Sequence, residues 1–202
     1  MLKISIQRYF LAAVVLIASS NAISREISYD YIQGSYLSTT ADLGSAFGDV
    51  DGDGVGISGS FSVSPKIALT ASYGAISYDR LLGVDIDTTA LTFGVMAHSS
   101  IAERTDIIGG FSLLMGDIEL SNGFTTISDD DTGNIISFGF RHMATDVVEF
   151  GVSFSRVDIF DDTSNTFEFG ARFYTNEKLS FGIAYATGDD VDSLLLNLRI
   201  GI

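Results

Sequence analysis

A chain of 202 residues with no Cys, no Trp and a single Pro has the length of one domain and lacks the thiols for a disulfide framework or a thiolate metal site. Its 26 acidic against 11 basic residues leave a formal charge of −15, which repels nucleic acid. Mean hydropathy is nevertheless positive, +0.32, so apolar and charged side chains must be sorted onto different surfaces.

The first 22 residues read as a signal peptide. Lys3 and Arg8 form a basic start, Phe10 to Ala18 is an unbroken apolar run, and Ser20-Asn21-Ala22 supplies the small residues of a cleavage site. The run is about half of the ~20 residues that a membrane helix needs. A mature domain is therefore predicted over 23–202. Loss of Lys3 and Arg8 leaves 9 basic and 26 acidic residues, a net of −17.

Past residue 26 the dominant signal is alternation with a period of two. Ten strands are predicted, near 27–38, 54–63, 66–78, 88–97, 106–118, 134–143, 147–157, 165–174, 178–187 and 193–202. Eight is the alternative, because Tyr29, Tyr31, Ile32 and Tyr36 put large side chains on both faces of the first strand. Elsewhere one face is bulky and apolar and the other is small. Val55, Ile57, Phe61 and Val63 oppose Gly56, Ser58, Ser60 and Ser62; Leu179, Phe181, Ile183 and Tyr185 oppose Ser180, Gly182, Ala184 and Ala186. A soluble β protein would clothe its second face in Lys, Glu and Gln. Gly and Ser suit a narrow lumen instead, with the apolar face turned to lipid. The fold class expected is thus a closed antiparallel up-and-down transmembrane β-barrel. Arg141, Glu149, Glu168, Arg172 and Arg199 fall on its inner face, where ionic pairing is expected.

Connections alternate in kind. Short ones are expected at 64–66, 99–105, 144–146 and 176–177, and longer ones at 39–53, 79–87, 119–133, 158–164 and 188–192. Short periplasmic turns and longer outer loops are the rule in such barrels, which places both termini in the periplasm. The longer segments and their flanks hold 18 of the 26 acidic residues, so acidic extracellular loops are expected. Within the first, Asp49, Asp51 and Asp53 alternate with Val50, Gly52 and Gly54, matching the opening of a calcium-binding loop. Ser60 stands where such a loop carries its closing Glu. The expectation is weak Ca²⁺ or Mg²⁺ binding at Asp49, Asp51 and Asp53, set against a plain solvated acidic loop. Asp129-Asp130-Asp131 and Asp189-Asp190-Asp192 are read as solvated tips, with shared cations on lipopolysaccharide phosphates as the functional alternative.

Lys66-Ile67-Ala68-Leu69, the stretch from Arg104 to Gly110, and the stretch from Lys178 to Ile183 each open a strand after a short turn. In these the chain resembles the small outer-membrane β-barrel proteins of Gram-negative bacteria, among them the OmpA-type transmembrane domain and the opacity and Ail/OmpX-like surface barrels. The strand Leu194 to Ile202 is similar to the assembly signal of that group, although Ile202 stands where an aromatic is commoner. The resemblance implies an outer-membrane location, insertion by the barrel-assembly machinery, and contact with outer-membrane lipid and lipopolysaccharide. It implies no catalytic residues and no cofactor. Omptin proteases and lipid A-modifying enzymes are barrels too, and an enzyme of either type is one alternative. His98 and His142, however, fall near the ends opposite the acidic segments, and His98 and Ser99 point to opposite faces of a strand. A small passive pore is the other alternative, although conducting porins use 16–18 strands. The leading reading is a non-enzymatic surface barrel with a structural, adhesive or envelope-protective role.

Overall fold

The computed structural model describes residues 29–44 and 48–202. The signal peptide expected over 1–22 lies outside them. The strands are β1 (Tyr31–Asp42), β2 (Asp49–Ser64), β3 (Ile67–Leu81), β4 (Val84–Ala102), β5 (Thr105–Ser121), β6 (Thr126–Met143), β7 (Val148–Ile159), β8 (Asp162–Tyr174), β9 (Leu179–Gly188) and β10 (Val191–Gly201). Each pairs antiparallel with its sequence neighbours, and β1 pairs with β10 from Tyr31↔Gly201 to Ala41↔Val191. The sheet is a closed barrel of ten strands. Closure gives every strand two partners and leaves no open edge, the condition for β structure in hydrocarbon.

The faces fall as the alternation requires. Val55, Ile57, Phe61 and Val63 point outward, as do Leu194, Leu196, Leu198 and Ile200. On β5 the outward apolar run extends from Ile107 through Phe111 and Leu113 to Met115. At ~3.3 Å per residue and a tilt of about 40° this spans roughly 20–25 Å, the height of a lipid-facing band. The first strand obeys the same rule: Tyr29 and Tyr31 are buried inside, Ile32 and Tyr36 exposed outside.

The strands outrun that band. β4 has 19 residues and β6 has 18, whereas β9 and β10 have 10 and 11. The barrel is therefore lopsided, with a tall wall over β2–β6. The longer acidic connections expected from the sequence are for the most part not loops. Only 43–48, 82–83, 122–125, 160–161 and 189–190 connect strands at that end, against 65–66, 103–104, 144–147 and 175–178 at the other. Loop length thus does not distinguish the two ends; strand overhang and charge do. Asp, Gly, Ser and Thr lower strand propensity, but pairing on both sides overrides it. Two of the connections at the overhanging end are two-residue turns with both residues at positive φ, Leu82-Gly83 and Phe160-Asp161. That conformation matches strand twist and ordinarily selects Asn-Gly. Phe160 holds it because its ring is buried in the barrel core and its N–H donates to Asp131 Oδ2 at 2.6 Å.

The lumen has two storeys. Toward the overhanging end it is an apolar core, with Leu37, Val50, Ile76, Ile86, Leu114, Ile118, Ile135, Val157, Ile159 and Leu195 all buried together. Toward the termini it is polar, with Gln33, Asp106, Arg141, Glu149, Arg172, Asn197 and Arg199 buried. A lumen of small and ionic side chains throughout, as the alternation suggests, describes only the lower storey.

Candidate functional site

The overhanging wall turns its carboxylates outward. Above the lipid-facing band, β2 presents Asp49, Asp51 and Asp53, β4 presents Asp85 and Asp87, β5 presents Asp117 and Glu119, and β6 presents Asp130. Register brings them side by side: Asp87 pairs with Glu119, and Asp117 with Asp130. Beside these positions the inward residues are Val50 on β2, Ile86 on β4 and Ile118 on β5, whereas on β6 Asp129 and Asp131 flank Asp130 and the inward apolar residue, Ile135, comes lower. On β2, β4 and β5 the wall is thus the inverse of the band below it, charged outside and apolar inside. Like charges directly opposite each other repel, and neighbouring donors offset this in part. Tyr36 Oη donates to Asp53 at 2.5 Å, Thr40 Oγ1 to Asp51 at 2.7 Å and Ser77 Oγ to Asp87 at 2.5 Å. Arg80 forms a two-pronged pair with Asp85, and its hydrogen bonds hold that carboxyl below the usual range. The hairpin tips are apolar and open, with Leu82 81% and Phe124 98% exposed.

Asp49, Asp51 and Asp53 therefore sit on a strand and not on a sharp turn. Alternate strand residues stand about 7 Å apart along the chain, so the three carboxylates form a row and do not converge. Gly52 and Gly54 serve packing: a Cβ on either would press into Tyr78 or Ile76 and the β3 backbone. Among the described residues no group of three His, Asp or Glu side chains is placed to hold a metal ion. Asp129 and Asp131 fall on the inward phase of β6, and Asp131 anchors the Phe160 turn. Asp189 binds the Asn165 N–H.

The second assembly fills the lower lumen. Arg141 Nε donates to Glu149 Oε1 at 3.1 Å, and Tyr174 Oη donates to Glu149 Oε2 at 2.6 Å. Gln33 Oε1 accepts from Arg172 Nη2 at 3.0 Å and from Arg199 Nε and Nη2 at 2.9 and 2.7 Å. Arg172 also donates to Asn197 Oδ1 and Ser180 Oγ. Arg199 lies 3.7 Å over the Tyr31 ring, and His98 stacks on Tyr29 at 3.5 Å. Asp106 accepts from Tyr29 Oη and Ser100 Oγ. Charges removed from water require such partners. Of the inner ionic residues singled out from the sequence, Arg141 and Glu149 pair with each other, while Arg172 and Arg199 meet on Gln33. Sequence reasoning missed Gln33, Asn197 and Asp106. Each is a polar residue larger than Ser on the inward phase of a strand, and that was the available signal. His98 faces the lumen, Ser99 faces out, and His142 Nδ1 contacts Thr105 Oγ1 at the terminal end.

This geometry finds its counterpart among known proteins. The translocator domain of the autotransporter NalP from Neisseria meningitidis is 8% identical, with a TM-score of 0.57 over 99% of this chain and 96% of that one. The transport unit of the autotransporter AIDA-I from Escherichia coli is 9% identical, with a TM-score of 0.62 over 98% of each. Neisserial surface protein A is 13% identical, with a TM-score of 0.50 over 87% of this chain and 98% of that one. At such identities the likeness is one of fold. No curated protein matches the chain in sequence. The model of the outer membrane protein beta-barrel domain family, however, matches residues 10–186. With most of its length matched, a closed ten-strand barrel and a lipid-facing band, the chain belongs to the outer membrane protein β-barrel domain family.

Proposed function

We propose that the protein is a closed, non-enzymatic surface barrel whose working part is the acidic wall overhanging the outer leaflet. The observation that carries this reading is the inversion along β2–β6, apolar-out in the band and acidic-out above it. An apolar core within the overhang is what a rigid structure standing in water needs. Its carboxylates are then presented to the lipopolysaccharide layer, where shared Mg²⁺ or Ca²⁺ would bridge them to phosphate. The role is structural, adhesive or envelope-protective, and both termini lie in the periplasm. The packed upper lumen argues against a passive pore. The placement of His98 beneath that core, away from the outer carboxylates, argues against chemistry of the omptin type.

The chain has no native Cys, so single-cysteine labelling is clean. Phe124→Cys should react with a membrane-impermeant maleimide on intact cells, and Glu103→Cys only after permeabilisation. Purified barrel in planar bilayers should stay silent. Labelling with the reverse sidedness, or steady conductance steps, would refute the reading.

A further inference from the structure

The seal of the barrel is complete within the lipid-facing band but not above it. β5 and β6 stay paired up to Ser121↔Thr126, whereas β7 leaves β6 at Asn134↔Asp158. The β7–β8 turn then leans on β6: Phe160 N donates to Asp131 Oδ2, and a Cβ on Gly133 would strike Asp158 O. From Thr126 to Asp130, among the described residues, β6 has β5 on one side and no strand on the other. At ~3.3 Å per residue this edge runs for about 16 Å. A strand edge of this kind offers a row of backbone amides and carbonyls to another chain.

The two faces beside the edge say what that chain must carry. Ile127 lies on the inward phase of β6, opposite Leu120. On the same inner surface Ile86 and Ile118 are each 4% exposed, yet Ile127 is 60% exposed because no strand covers its flank. An added strand would set an apolar side chain against it. The outer face is acidic: Asp130 stands on the edge, and behind it on β5 Asp117 lies opposite Asp130 and Glu119 opposite Ser128. A second copy would bring the run Asp129-Asp130-Asp131 against itself, and like charges directly opposite repel. A strand with basic side chains outward and apolar side chains inward suits both faces.

We propose that the edge of β6 from Thr126 to Asp130 captures an extended, basic segment of another protein by strand addition. Such capture gives the adhesive role of the overhang a class of partner, and its address outside the cell rests on that reading. Binding to the purified barrel does not depend on the address, so failure here and reversed labelling of Phe124→Cys are distinct results. The probe is an eight-residue peptide of alternating Lys and Val, added to the barrel in detergent micelles. Expected are saturable binding and slowed amide hydrogen exchange over 126–130, with β7 to β10 unchanged. Asp130→Lys relieves the repulsion with Asp117 and so spares the fold; it should weaken the peptide about tenfold or more. The same peptide with Pro in place of every Val keeps its charge but cannot join a ladder, and should leave exchange over 126–130 as it was. Absence of binding, equal binding of the Pro peptide, or binding without protection over 126–130 overturns the proposal.

Discussion

At the level of single residues, the lower lumen depends on few groups holding many others. Glu149 accepts from both Arg141 and Tyr174, at 3% exposure. Glu149→Ala removes the partner of a buried cation and should cost about 3–5 kcal/mol, read as a lowered urea midpoint for the barrel in lipid vesicles. Gln33 is the corresponding hub for Arg172 and Arg199. The inward phase of these residues was readable from alternation alone. Their partnerships were not, because Gln33 and Arg172 are 139 positions apart and meet only once stagger across a closed barrel is fixed. The row of Asp49, Asp51 and Asp53 shows the opposite limit. Its spacing suggested a turn, yet the same alternation is what a strand requires.

Single strands carry two codes in succession. On β5, Phe111, Leu113 and Met115 face out, and the next outward positions are Asp117 and Glu119; inward, Gly110 and Ser112 give way to Leu114 and Ile118. An arginine scan along β5 should therefore be costly at period two, with the phase reversing half-way. Phe111→Arg should cost about 2–4 kcal/mol, Glu119→Arg almost nothing, and the inward Ile118, even when cut back to Ala, about 2–5 kcal/mol. Unfolding free energies that keep one phase throughout would contradict the assigned inversion. This reversal also explains why strand ends were misread as loops. In Asp117-Ile118-Glu119-Leu120 the alternation persists, but a search for apolar outward residues stops at Met115. Strand number and faces were legible because bulk and smallness alternate strongly within the band.

At the scale of the whole molecule the consequence is a barrel standing proud of the bilayer on one side. β4, at 19 residues with ~3.3 Å per residue and a tilt of about 40°, rises roughly 45–50 Å, about twice the lipid-facing band. The chain contains no Trp, so single introduced tryptophans report depth without background. In vesicles containing brominated lipid, Ile183→Trp should be strongly quenched and blue-shifted, whereas Asp87→Trp should be quenched little. Equal quenching at both sites would place the wall inside the membrane. The fold family follows from the sequence match and the closed sheet; the lopsided height does not, because it depends on where each strand turns.

The pairing of Tyr31 with Gly201 has a temporal meaning. The earliest strand finds its second neighbour only when the latest one arrives, so every shorter intermediate carries two raw edges with unpaired amides and carbonyls, ready to zip onto any passing strand. Such a chain is open to mispairing along its whole length until the last strand arrives. A stop codon anywhere before β10 would therefore yield an aggregation-prone ribbon and no smaller, working vessel.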